Sequence, residues 1–184
     1  MSEPRRVPVH VDARGHGSKG VTMKHLYIMR HAEAEDAEEG CPEVERALTK
    51  RGKRAAQAMG RWMAANGVCP EVIATSPLKR ALQTAAAVRK KLDGADPVTV
   101  PELAGQCSAK ELVLALTPLV AEADVVLIVG HQPQLGQLVS LLVTGGIHGR
   151  LDLKKGALCH VILGGLRPGK CGSVDLLISP EFVS

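Results

Sequence analysis

The sequence predicts an α/β fold: a mostly parallel sheet of about six strands, covered by helices on both faces. Three observations predict it. Short runs rich in Val, Ile and Leu alternate with longer segments of helical periodicity, the pattern of crossover units. The best of these runs, DVVLIVG (124–130), is apolar throughout, as a strand buried on both faces must be. Only the last two runs follow one another with no room for a crossover helix, so they should add an antiparallel pair.

In chain order, residues 1–22 carry Pro, Gly, His and Arg without periodicity and read as a disordered leader. That leaves 23–184 as a single domain, with Met23 a candidate start just before the first strand, HLYIM (25–29). Residues 32–46 are acidic, contain Gly40 and Pro42, and read as a loop. Thr49 can cap a helix running to about Asn66, with Gly67 as its stop. Leu48, Ala55, Met59, Trp62 and Met63 form its apolar stripe and pack the core. EVIAT (71–75) is the second strand, and Ser76 and Pro77 are expected to open the next helix. VTV (98–100) is the third strand. Ser108 starts a helix to about Ala123, in which Pro118 is a kink or break. His131 follows DVVLIVG, and QPQLGQLVSLLV then begins a helix. Beyond the glycine-rich loop 145–149, ALCHVIL and SVDLLIS are strands joined by a turn.

The whole-chain numbers exclude several function classes. A length of 184 residues suits one domain with a real core. Aromatic residues are 2% of the chain and the net charge is only +4, so bases have almost nothing to stack on and nucleic acid is not an expected partner. No apolar run approaches the ~20 residues of a membrane span. Arg5 and Arg6 lack the apolar segment of an export signal. Cys41, Cys69, Cys107, Cys159 and Cys171 are widely spaced and odd in number, the pattern of a reduced, cytoplasmic chain rather than of a disulfide or zinc framework.

In such sheets, ligands gather beyond the carboxyl ends of the strands. Arg30 and His31 follow the first strand, Ser76 to Arg80 the second, and His131 the fourth. Taken singly, these are ordinary capping, helix-start and core residues. Taken together they bring two arginines and two histidines to one edge, a set suited to a phosphoryl dianion. Guanidinium offers paired, permanently charged donors. Helix starts after Ser76 and His131 would add backbone N–H groups. A neutral imidazole held by one nitrogen can attack with the other, which requires no metal or other cofactor.

RHAEAE (30–35), RALTKRG (46–52), SPLKRALQTA (76–85) and VGHQPQLG (129–136) resemble the four signatures of the histidine phosphatase superfamily. They are most similar to its short, SixA-like phosphohistidine phosphatase branch, as is KKGALCHVIL (154–163). The resemblance covers roughly residues 24–178. It implies a three-layer α/β/α sandwich with a phosphoglycerate-mutase-like sheet. It also implies roles: His31 as phosphoryl acceptor, with Arg30, Arg80 and His131 holding the phosphoryl oxygens. Gln132 stands where the family often has Asn.

The general acid is the main departure. The superfamily's mutases and small-molecule phosphatases place a Glu two residues after a leucine beyond the third strand. Here that slot in VPELAGQCS holds Gly105, and Glu102, before Leu103, is the remaining candidate. An alkoxide leaving group needs a proton donor, worth about 10²–10⁴-fold. Imidazole leaving from phosphohistidine does not, because its conjugate acid titrates near neutrality. Only 17 residues separate His31 from Thr49, too few for a substantial lid. The expected substrate is therefore phosphohistidine on a signalling protein such as a histidine phosphotransfer domain. The alternatives are a broad small-molecule phosphomonoesterase using Glu102, and a non-catalytic phosphate-binding regulatory module.

Two decoys are set aside. GGLRPGK (164–170) matches part of a phosphate-binding loop, but Cys171 replaces the required hydroxyl and a strand pattern follows instead of a helix. His31, Glu33 and Glu35 lack the spacing of a helical metal motif, and His10, His16, His148 and His160 show no partner spacing.

Overall fold

The computed structural model describes residues 22–36, 42–92, 95–149 and 151–183. The expected leader, Gly40, Cys41, His10 and His16 lie outside these residues. The described residues form six strands and four α-helices: β1 (Lys24–Arg30), α1 (Lys50–Ala65), β2 (Val72–Thr75), α2 (Lys79–Arg89), β3 (Val98–Thr99), α3 (Ala109–Glu122), β4 (Val125–Gly130), α4 (Gln134–Thr144), β5 (Leu158–Leu163) and β6 (Gly172–Ile178). They include no helix long and apolar enough to cross a membrane.

The sheet order is β3-β2-β4-β1-β5-β6. The first four strands in that order pair in parallel, whereas β5 and β6 pair antiparallel, as their close sequence spacing requires. Side chains of β1 and β4 alternate between two cores. Leu26, Ile28, Val126 and Ile128 pack with α3 and α4, whereas Tyr27, Met29, Leu127 and Val129 pack with α1 and α2. Because successive strand residues point to opposite faces, a continuous apolar run is what a strand between two helical layers needs. The result is the mostly parallel, three-layer α/β/α sandwich that the sequence predicts.

Helix boundaries follow their caps. The Thr49 hydroxyl accepts from Gly52 N–H and opens α1. Ser108 and Glu111 form a reciprocal capping box at the start of α3. Pro118 does not break α3, which continues through it to Glu122. The α2 start differs from expectation. The helix begins at Lys79, not at Ser76–Pro77, and has no side-chain cap. Ser76 Oγ accepts from Leu78 N–H at 3.2 Å and bonds to His131 Nε2 at 2.8 Å, so its hydroxyl serves the sheet edge rather than the helix. GGLRPGK forms the β5–β6 turn, with Gly165 and Gly169 at φ of 150° and 119°, as a non-nucleotide reading requires.

Two glycines set how closely helices approach the sheet edge. A Cβ on Gly52, in the first turn of α1, would sit 2.0 Å from the Glu33 carbonyl oxygen. One on Gly136, in the first turn of α4, would sit 2.1 Å from the Leu151 carbonyl oxygen. Backbone at both places has no flexible side chain that could yield. Gly52→Ala should therefore destabilise the protein by about 1–3 kcal/mol through overpacking. Gly146→Ala, where the nearest atom to a new Cβ is 4.0 Å away, should change stability little. Chemical denaturation of both variants checks the contrast.

Candidate active site

Strand register creates the site. Arg30 pairs with Gly130 across β1 and β4, and Thr75 pairs with Val129 across β2 and β4. One residue further on, His31 N–H donates to the Gly130 carbonyl at 3.0 Å and Ser76 N–H to the Val129 carbonyl at 2.9 Å. His31, Ser76 and His131 thus leave the sheet side by side, although 100 residues of chain separate the two histidines. Their rings lie 5.0 Å apart between centroids, tilted by 50°.

His31 is 8% exposed, and its Nδ1 lies 2.8 Å from the Ala32 carbonyl. A carbonyl only accepts, so Nδ1 carries the proton and Nε2 keeps its lone pair. Burial, followed by the charges of Arg80, Arg30 and Lys155, pulls the His31 pKa down to about 4, against an upward push from the Ala32 carbonyl. His131 is pulled to about 3 by burial, then by His31, Arg80 and Arg30. Both imidazoles are neutral at pH 7, and both sense both arginines. Arg80 is 7% exposed, and Arg30 donates through Nη1 to the Leu153 carbonyl at 2.8 Å. Among the described residues, the buried Arg30 Nε and His131 Nδ1 have no hydrogen-bond partner.

The four residues expected from sequence are therefore brought together. Glu102 is different. It lies in the 3₁₀ turn Pro101–Ala104 and its main-chain carbonyl accepts from the Gln134 amide at 2.8 Å. The slot two residues after Leu103 falls beside the site: a Cβ on Gly105 would lie 3.8 Å from the Cβ of His131. Gly105 adopts φ 89°, a conformation that disfavours any side chain there.

Sequence reasoning missed a carboxylate. Glu43, in the segment read only as an acidic loop, places Oε1 3.2 Å from Arg80 Nη2, while its carbonyl accepts from Arg80 Nη1 at 3.0 Å. The hydrogen bond from Arg46, followed by the charges of Arg80, Arg46 and His31, holds this carboxyl below its usual range, so it stays ionised and has no proton to give. No spacing rule singles out this residue.

Other motif residues act as struts. Glu33 accepts from the Thr49 hydroxyl and pairs with Arg51 at 2.9 Å, which ties the loop after β1 to the start of α1. Thr84 accepts from Ala32 N–H and Gln83 from Leu48 N–H, so α2 fixes the loop that follows β1. Gln132 donates to the Leu151 carbonyl and accepts from Gly136 N–H, so its amide ties the start of α4 to the segment before β5. Among the described residues, no group of three His, Cys, Asp or Glu side chains is arranged to hold a metal ion.

Known proteins are similar to this chain in sequence and fold. A sequence model of the histidine phosphatase superfamily (branch 1) matches residues 26–107. An uncharacterized protein of Picosynechococcus sp. is 32% identical over 166 residues, covering 86% of this chain and 98% of that one. The structure of the protein histidine phosphatase SixA complexed with tungstate is 27% identical, with TM-score 0.75, over 87% of this chain and 99% of that chain. A proposed phosphohistidine phosphatase SixA from Nakamurella multipartitia is 25% identical, with TM-score 0.73, over 86% and 96%. Sequence kinship and shared architecture extend well beyond the motifs, to nearly the whole of each relative, and place the chain in the histidine phosphatase superfamily as a SixA-like member.

Proposed function

We propose that this phosphatase works without a metal, forms a phosphohistidine on His31, and acts on phosphohistidine carried by a signalling protein such as a histidine phosphotransfer domain. One observation carries the reading: a neutral His31 with Nδ1 tied to the Ala32 carbonyl lies beside His131 and within the field of two arginines. In the first step, His31 Nε2 forms a bond to phosphorus as the bond to the leaving group breaks. In the second, water displaces His31 and inorganic phosphate departs. Arg30 and Arg80 hold the phosphoryl oxygens throughout. Burial, reinforced by the surrounding positive charges, keeps His131 neutral at rest; a bound dianion favours the imidazolium, so His131 can take up a proton and donate to an oxygen. The tungstate carried by the SixA relative is an oxyanion of the same general kind.

The preference for a P–N bond comes from the place of the acid. Gly105 supplies no proton, and Glu43 is held ionised by its basic neighbours. An imidazole leaving group takes its proton from water, whereas an alcohol leaves as a much stronger base and turns over slowly without a donor. Glu102 remains the candidate acid for phosphomonoesters, and Glu102→Gln should then slow ester substrates selectively.

Trapping tests the chemistry directly. Brief incubation with labelled phosphodonor in EDTA-containing buffer should leave acid-labile, alkali-stable label on His31. His31→Ala should abolish both label and turnover while the fold survives; label on another residue, or turnover retained in that variant, contradicts the mechanism. Arg80→Ala should cut kcat/KM by about 10²-fold or more, the scale of losing one preorganised donor to the transition state. Lys79→Ala, whose side chain is exposed and bound to Glu45 at 3.1 Å, should change it about twofold at most.

The histidines also set a pH dependence. Their folded pKa values lie below the ordinary value, so the unfolded chain binds protons first as pH falls. Stability is full above about pH 6.5 and declines toward pH 4, by up to about 1.4 kcal/mol per pH unit for each imidazole. Melting temperature measured from pH 7 to pH 5 should fall, and less steeply in His31→Ala.

A further inference from the structure

Helix α1 breaks a charge rule. Its first turns carry Lys50, Arg51, Lys53 and Arg54 with no acidic residue, at the end where the helix dipole favours carboxylates. Local stability does not account for this placement. The structure shows where three of its arginines lead. Arg51, Arg54 and Arg61 form one wall of a groove of about 760 Å³, Lys154 and Lys155 form another, and Ala58 and Ala55 leave room between them. The groove opens directly on Arg30 of the phosphoryl cup. Its two carboxylates are already engaged, Glu33 with Arg51 and Glu181 with Lys154. Among the described residues, Arg54, Arg61 and Lys155 are exposed and have no acidic partner within ion-pair distance.

Length argues against a small phosphate ester as the occupant. Ten residues of helix from Arg51 to Arg61 span about 15 Å. That is the length of about four or five extended residues. We propose that this groove is the docking site for an acidic segment of the phosphorylated protein, which lies along α1 while its phosphohistidine enters the cup at Arg30. The inference rests on the phosphohistidine-protein reading above and adds the chemistry by which the partner is chosen. Asp and Glu side chains along the segment meet Arg54, Arg61 and Lys155 on the rim, where charge governs encounter and selectivity more than the chemical step.

Two synthetic peptides of equal length test it, each with one phosphohistidine, one flanked by Asp and Glu and the other by Asn and Gln. At low ionic strength the acidic peptide should have about tenfold higher kcat/KM, carried by KM, and the gap should close in about 0.5 M NaCl. Arg54→Gln/Arg61→Gln should abolish the gap while leaving the neutral peptide's rate unchanged. Equal rates for the two peptides in the wild-type protein, or a gap that survives the double variant, overturns the docking site. If neither peptide is hydrolysed, the phosphohistidine reading fails by itself. Binding of a fluorescent, unphosphorylated acidic peptide then decides the groove: tight in wild type and lost in the double variant supports it, and no binding overturns it. Inorganic tripolyphosphate that displaces this peptide at equal charge concentration shows a generic anion site and overturns the protein assignment.

Discussion

The register between β1 and β4 is the constraint on which the site depends. Pairing Arg30 with Gly130 brings both strands to an end at the same level, so that the next residue of each is a histidine. A slip of one residue would point one imidazole to the opposite face of the sheet. That register is held by apolar side chains facing two separate cores and by the His31 N–H bond to Gly130. The same stretch is fixed from the other side, where Gly156 N–H reaches both the Arg30 and His31 carbonyls. Main-chain pairing on both sides of β1 therefore fixes where Arg30 and His31 leave the sheet.

Electrostatics then follow from burial. The cup gathers two guanidinium groups around two imidazoles that are almost removed from water. In that setting an imidazolium would be costly, so positive charge stays on the arginines and both imidazoles stay neutral. A phosphoryl dianion fits the field, whereas a cation does not. Arg30 also lines the groove beside α1, where Arg51, Arg54 and Arg61 add further positive charge.

Much of this was legible in the sequence because the signals are local. Apolar runs mark strands, Thr49 and Ser108 mark helix starts, and the residues following β1, β2 and β4 mark the site. What stayed hidden depends on distant contacts. Ser76 reads as a helix cap because serine does that in isolation, yet His131, 55 residues away, takes its hydroxyl. Glu43 reads only as part of an acidic loop, and only the folded chain brings it to Arg80. Glu33 reads only as one acid of a metal motif with the wrong spacing, yet it ties the start of α1 through Thr49 and Arg51. Gly52 and Gly136 sit within recognisable motifs, but the carbonyls that demand them belong to other segments of the chain.

Glu43 gives the resting cup a tethered competitor. Its carboxylate faces Arg80 at a high effective concentration because it is delivered by the same chain. Any incoming anion that claims those guanidinium nitrogens has to evict it. Eviction is mild, since the carboxylate also holds Arg46 at 2.9 Å and keeps that counter-ion when it lets go. Arg80 is thus already paired with a carboxylate in the folded chain, and an anion that reaches it exchanges one negative partner for another.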